Sequence, residues 1–122
     1  MKKKVYIFCF DIDNTIVTTK KLNYKFFKPK NKIIKIINRL YDDGHIINIY
    51  TARFMGRNNN DCKKARKQGY DFTLKQLKFL RLKFHKLFFG KPSADFYIDD
   101  KAIGYKSDWY KTFDKIQLLK LK

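Results

Sequence analysis

Apolar positions along the chain fall into a few short runs separated by basic and polar stretches. Val5-Tyr6-Ile7-Phe8-Cys9-Phe10 is an unbroken apolar run between Lys2-Lys3-Lys4 and Asp11. A run of that length without polar alternation reads as a strand buried on both faces. Ile46-Ile47-Asn48-Ile49-Tyr50 reads as a second, ending at Thr51-Ala52-Arg53. Lys86-Leu87-Phe88-Phe89 makes a third that ends at Gly90-Lys91-Pro92, and Ala94-Asp95-Phe96-Tyr97-Ile98 a fourth that ends at Asp99-Asp100. Between the first two, Ile33, Ile34, Ile36, Ile37, Leu40 and Tyr41 fall mostly three and four apart, the spacing of an amphipathic helix. Pro29 marks its start, and Asp42-Asp43-Gly44 stops it with Gly44 at C′. Strand, helix and strand in that order predict a right-handed βαβ unit with parallel strands.

The connecting stretches are read the same way. Ile16 to Thr19 is β-prone, and the chain from Thr18 to Lys28 folds back as a flap. Phe54 to Asn60 is a loop, and Asp61 caps a short, very basic helix through Lys67 that Gly69 ends. A separate helix follows from Thr73 to about Leu82, burying Leu74, Leu77, Phe79 and Leu80. The tail holds Trp109, Tyr110, Phe113 and an alternating stretch from Ile116 to Leu121, compatible with helix or edge strand.

At 122 residues the chain suits one domain, 1–122, with a single core. The formal charge of +18 draws attention to anionic partners. It is built from 24 Lys against 5 Arg, in a chain also rich in Ile, Asn, Phe and Tyr. That bias is what an AT-rich coding sequence produces, whereas nucleic-acid readers favour Arg, so a nucleic-acid partner is not favoured. Cys9 and Cys62 form no metal knuckle or disulfide framework and are read as free thiols in a reducing compartment. No stretch approaches the roughly 18 apolar residues of a membrane span. The expected location is the cytoplasm, with no membrane partner.

Each of the four strands ends in a residue suited to phosphate chemistry: Asp11 and Asp13, then Thr51, then Lys91, then Asp99 and Asp100. In open α/β sheets, loops leaving the carboxyl ends of strands converge on a ligand crevice. Carboxylates as close in sequence as Asp11 and Asp13 repel, which makes a divalent ion their natural partner. His45 and His85 fall at strand starts, on the wrong edge for chemistry, and Asp42-Asp43 at a helix end is a turn.

Asp11-Ile12-Asp13-Asn14-Thr15 after an apolar strand, a strand ending in Thr51, Lys91 before the last strand and Asp99-Asp100 after it resemble the four motifs of the haloacid-dehalogenase-like phosphatase superfamily. The wording "IYTAR" and "FGKPSADFYIDDKAI" is similar to small phosphatases of capsule and surface-polysaccharide biosynthesis. The resemblance runs from Val5 to about Ile103 and implies a three-layer Rossmann-like α/β fold with a mainly parallel central sheet. Only 35 residues, Ile16 to Tyr50, separate the first two motifs, so no separate cap domain fits.

The implied activity is Mg²⁺-dependent hydrolysis of a phosphate monoester, a sugar or polyol phosphate, through an aspartyl-phosphate. Asp11 would be the nucleophile and Asp13 the general acid and base. Mg²⁺ would be held by Asp11, the Asp13 backbone carbonyl and Asp99, with Asp100 bound through water or orienting its neighbour. Thr51, the backbone at Ala52 and Lys91 would hold the phosphate. Arg53 is left to reach either substrate or a nearby acid. A capless site implies a homo-oligomer, with the flap and the Phe54 to Asn60 loop lining the entrance. The competing readings are a nucleic-acid-binding module and a polynucleotide-end phosphatase on the same fold, suggested by the charge and by Lys63-Lys64-Ala65-Arg66-Lys67.

Overall fold

The computed structural model describes residues 4–20, 23–90 and 94–102. In chain order the elements are β1 (Ile7–Phe10), β2 (Val17–Lys20), β3 (Asn23–Pro29), α1 (Asn31–Asp42), β4 (Ile46–Thr51), α2 (Cys62–Phe79), β5 (Lys86–Phe89) and β6 (Phe96–Ile98). A 3₁₀ turn, Gly56–Asn58, precedes α2.

Four strands form a parallel sheet in the order β5-β4-β1-β6, with β1 paired to β4 on one side and β6 on the other. Phe10 pairs with Ile49 on one side and Ile98 on the other. The steps from β1 to β4 and from β4 to β5 go the same way across the sheet. Right-handed crossovers in one direction place both connecting helices on one face. That face carries Phe10, Ile47, Ile49, Leu87 and Phe89, packed with Ile34 and Ile37 of α1 and Ala65 and Leu77 of α2. Ile37, Ile47, Ile49 and Leu77 are wholly buried, and each such side chain contributes about 1.5–3 kcal/mol. The described helices therefore make one layer on the sheet. A third layer is not formed among the described residues, and the tail beyond Ala102 lies outside them.

Two boundaries differ from the sequence reading. Pro29 ends β3, paired with Val17, and α1 begins only at Asn31, because the intervening Lys30 N–H is still bonded to Ile16 O at 2.9 Å. The two helices expected on either side of Gly69 are one continuous helix, α2. Gly69 is there for space rather than as a stop. A Cβ at that position would lie 2.2 Å from a ring carbon of Phe54, which sits at φ +65° and lays its ring on the helix. Asp61 caps α2 as expected, its carboxylate accepting from the Lys63 and Lys64 N–H groups at 3.0 and 3.2 Å. Within the amphipathic set of α1, Ile36 points outward, 47% exposed.

The flap is an antiparallel hairpin of β2 and β3. It is the only insertion between β1 and α1, and no separate cap exists among the described residues. At the opposite edge of the sheet, His45 Nδ1 accepts the Tyr6 N–H at 3.1 Å and His85 Nδ1 accepts the Ile47 N–H at 3.0 Å. Both histidines supply acceptors where the strands begin, remote from the acidic strand ends. No helix among the described residues is long and apolar enough to cross a membrane.

Candidate active site

Register decides which side chains meet. Because Phe10 pairs with Ile49 and Ile98, the next residue on each strand falls in one row: Asp11, Tyr50 and Asp99. Strand alternation turns that row to the face opposite the helices. The Asp11 N–H donates to Ile98 O at 2.9 Å, locking the end of β1 to β6. Immediately afterwards the chain wraps around the Ile12 carbonyl, which accepts from the N–H groups of Thr15, Ile16 and Val17 at 3.2, 2.8 and 3.2 Å. Ile12 is buried, and Asn14 takes a left-handed conformation at φ +63°. This turn lets both Asp11 and Asp13 line a single cavity.

Carboxylate oxygens of Asp11, Asp99 and Asp100 all lie within 4.8 Å of one another. Burial, then a hydrogen bond with Asp100 and the negative charge of Asp99, push Asp11 up to about 7 from its ordinary 3.8. For Asp99 burial acts in the same direction, but hydrogen bonds outweigh it and hold the carboxyl below its usual range. The Tyr50 hydroxyl donates to Asp99 Oδ2 at 2.6 Å and the Lys101 N–H to Oδ1 at 2.9 Å. Burial and then Asp99 push the Tyr50 phenol well above its ordinary value, so it stays a donor. Three clustered oxygen donors, one destabilised as an anion by its neighbours, fit a hard divalent cation.

Asp13 lines the same cavity but is held in an ion pair. Arg53 Nε reaches Oδ2 at 2.9 Å and Oδ1 at 3.2 Å, and Nη2 reaches Oδ1 at 2.8 Å. The third guanidinium nitrogen, Nη1, donates to Gln76 Oε1 at 2.7 Å, and the guanidinium carbon lies 4.7 Å from the Tyr24 ring centre. Gln76 in turn donates to the Tyr24 carbonyl, tying the flap to α2. Arg53 is fully enclosed and its nitrogens are committed, so of its two expected roles it takes the pairing one. The metal contact expected of Asp13 was through its backbone carbonyl, and its side chain is not among the three clustered carboxylates.

The cavity measures about 490 Å³ and is lined by Asp11, Asp13, Asp99, Asp100 and Ala52, together with Tyr24, Tyr50 and Lys101. The expected acids and Ala52 thus share one site. Thr51 does not line it: alternation turns this residue toward the helices, where it is buried and its Oγ1 accepts the Arg53 N–H at 3.1 Å. Lys91 lies outside the described residues. The sequence reading passed over Tyr50 and Tyr24. Tyr50 was legible as the residue one short of Thr51, level with Asp11 in a parallel register. Tyr24, on the flap, carried no comparable signal.

Two solved structures resemble the fold. One, a structural-genomics target from Vibrio cholerae, is 21% identical with a TM-score of 0.67, over 92% of this chain and 99% of that one. The other, a conserved protein from Bacteroides thetaiotaomicron, is 18% identical with a TM-score of 0.61, over 93% of this chain and 91% of that one. No family model matches the sequence, and no curated protein matches it either.

Proposed function

We propose that the protein is a Mg²⁺-dependent phosphatase of the haloacid-dehalogenase-like type, hydrolysing a phosphate monoester through an aspartyl-phosphate on Asp11. The observation that carries this reading is the convergence of Asp11, Asp99 and Asp100 within 4.8 Å at the carboxyl edge of a parallel sheet, with Asp13 in the same cavity. Asp11, Asp99 and the Asp13 carbonyl would hold Mg²⁺, with Asp100 beside them. The ion supplies charge neutralisation between the nucleophile and the phosphoryl group. Tyr50 and the Lys101 N–H orient Asp99 and keep it ionised.

An Asp11 oxygen attacks phosphorus as the bond to the leaving oxygen breaks, and Asp13 gives that oxygen a proton. Water then attacks the aspartyl-phosphate, losing its proton to Asp13, and releases phosphate and free Asp11. Oδ2 of Asp13 takes one Arg53 N–H where Oδ1 takes two, which leaves Oδ2 the freer oxygen for proton exchange. Ala52, which lines the same cavity, would offer its backbone to the phosphate. Lys91 is assigned to the phosphate from its place in the sequence, whereas Thr51, turned toward the helices, is left to brace the Arg53 backbone. A sugar or polyol phosphate of surface-polysaccharide synthesis is the substrate class that the motif wording favours. A cytoplasmic homo-oligomer of three-layer subunits completes the reading.

The test is hydrolysis of para-nitrophenyl phosphate with and without Mg²⁺. Asp11→Asn abolishes turnover while its circular dichroism and melting remain those of a folded protein. Mg²⁺-dependent turnover retained by that variant refutes the assignment.

A further inference from the structure

A second cavity, of about 310 Å³, shares one lining residue with the first, Tyr24. Asn23, Lys25, Arg57 and Gln68 line it between the aromatic rings of Tyr24, Phe54 and Phe72. Its chemistry differs from the first: both are lined by two cations, but the second has no carboxylate in its lining to offset them. Among the described residues, neither Arg57 nor Lys25 is in a salt bridge, whereas Arg53 and Lys83 are. The Arg57 guanidinium is held 4.6 Å from the Phe54 ring centre, so it is positioned without an acid consuming its charge.

The neutral groups are arranged to the same end. Asn58 Nδ2 donates to Phe54 O at 2.7 Å, which fixes its amide. The same nitrogen donates to Gln68 Oε1 at 2.8 Å, so the acceptor of Gln68 is occupied and its NH₂ remains to donate. Arg57, Lys25 and Gln68 therefore all offer N–H groups to a ligand. A neutral sugar ring, whose hydroxyls donate as well as accept, uses such a cavity poorly. A carboxylate or a second phosphate uses it well.

We propose that this cavity receives the leaving group of the substrate and selects phosphomonoesters carrying a second anionic group. The inference rests on the phosphatase reading: the phosphoryl group occupies the acid-rich cavity, and the rest of the molecule passes Tyr24 into the cation-rich one. Arg57 and Lys25 are then specificity determinants, acting on binding rather than on the bond that breaks.

The experiment compares kcat/KM for para-nitrophenyl phosphate, glucose 6-phosphate, 6-phosphogluconate, fructose 1,6-bisphosphate and a 5′-phosphorylated oligonucleotide, with Mg²⁺. The expected result is a preference of about tenfold or more for the two small doubly anionic substrates, carried by KM and falling as salt is raised. Arg57→Ala shrinks that preference to about twofold, whereas Arg39→Ala, which removes an equal charge from exposed α1, leaves it in place. Turnover of all the small substrates without preference, or preference for the oligonucleotide, overturns this inference and leaves the phosphatase reading standing. Turnover of none of them overturns both.

Discussion

Arg53 is the residue whose loss should be felt most widely, because its guanidinium joins the first acidic loop, α2 and the flap. Its side chain is fully enclosed, while that of Asp13 is 21% exposed. Arg53→Met removes the two-pronged pair with Asp13 and the bond to Gln76. Hydrogen bonds to a charged group contribute about 1.5–3 kcal/mol each, and stranding a buried partner adds its desolvation. Water can still reach Asp13, which trims the total, and a net loss of about 3 kcal/mol follows. For a domain of this size that lowers Tm by about 9–15 °C. Asp13→Asn keeps an acceptor for the guanidinium and costs less, about 1–2 kcal/mol. In the double variant the losses should not add, leaving a coupling of about 2 kcal/mol. Arg53→Lys should rescue little, since a point charge cannot grip both oxygens and Gln76 together. Urea unfolding followed by circular dichroism in EDTA measures this without a metal contribution. A loss below about 1 kcal/mol for Arg53→Met, or strict additivity, would refute the network.

Three further outcomes follow from the geometry. Asp11 titrates near 7 in the folded protein against 3.8 when free, so between those values the metal-free native state binds more protons than the unfolded chain. Its stability therefore falls as pH rises through that window and levels above it; thermal melts in EDTA at about pH 5 and about pH 8 should show a drop that Asp11→Asn reduces. Tyr50→Phe deletes the 2.6 Å bond to Asp99 and should weaken Mg²⁺ activation about tenfold, read from the metal dependence of turnover, with little change in melting. Gly69→Ala would stabilise an open helix by about 1 kcal/mol, but here the new methyl meets the Phe54 ring; a net loss of about 1–2 kcal/mol, relieved by Phe54→Leu, is expected in urea unfolding.

What could be read from the chain was governed by whether the cause was local. The strands β1, β4 and β5 announce themselves as dense apolar runs, and the acids after β1 and β6 stand out against such runs. Gly69 misled for the complementary reason: a glycine that stops a helix and one that admits a ring look alike in sequence. The difference lies in Phe54, fifteen residues earlier, at a backbone angle no pattern announces. Arg53 was ambiguous on the same ground, since only the fold brings Asp13, Gln76 and Tyr24 to it. Thr51 and Tyr50 sharpen the point. Both end the same strand, and hydroxyl chemistry favours Thr51 on sequence, yet alternation sends it toward the helices and gives Tyr50 the place level with Asp11. A strand's last polar residue is thus a weaker guide to a site than its register with the strand beside it. Wherever parallel strands carry one acidic row, the residue level with the acid on the neighbouring strand is the one to test first.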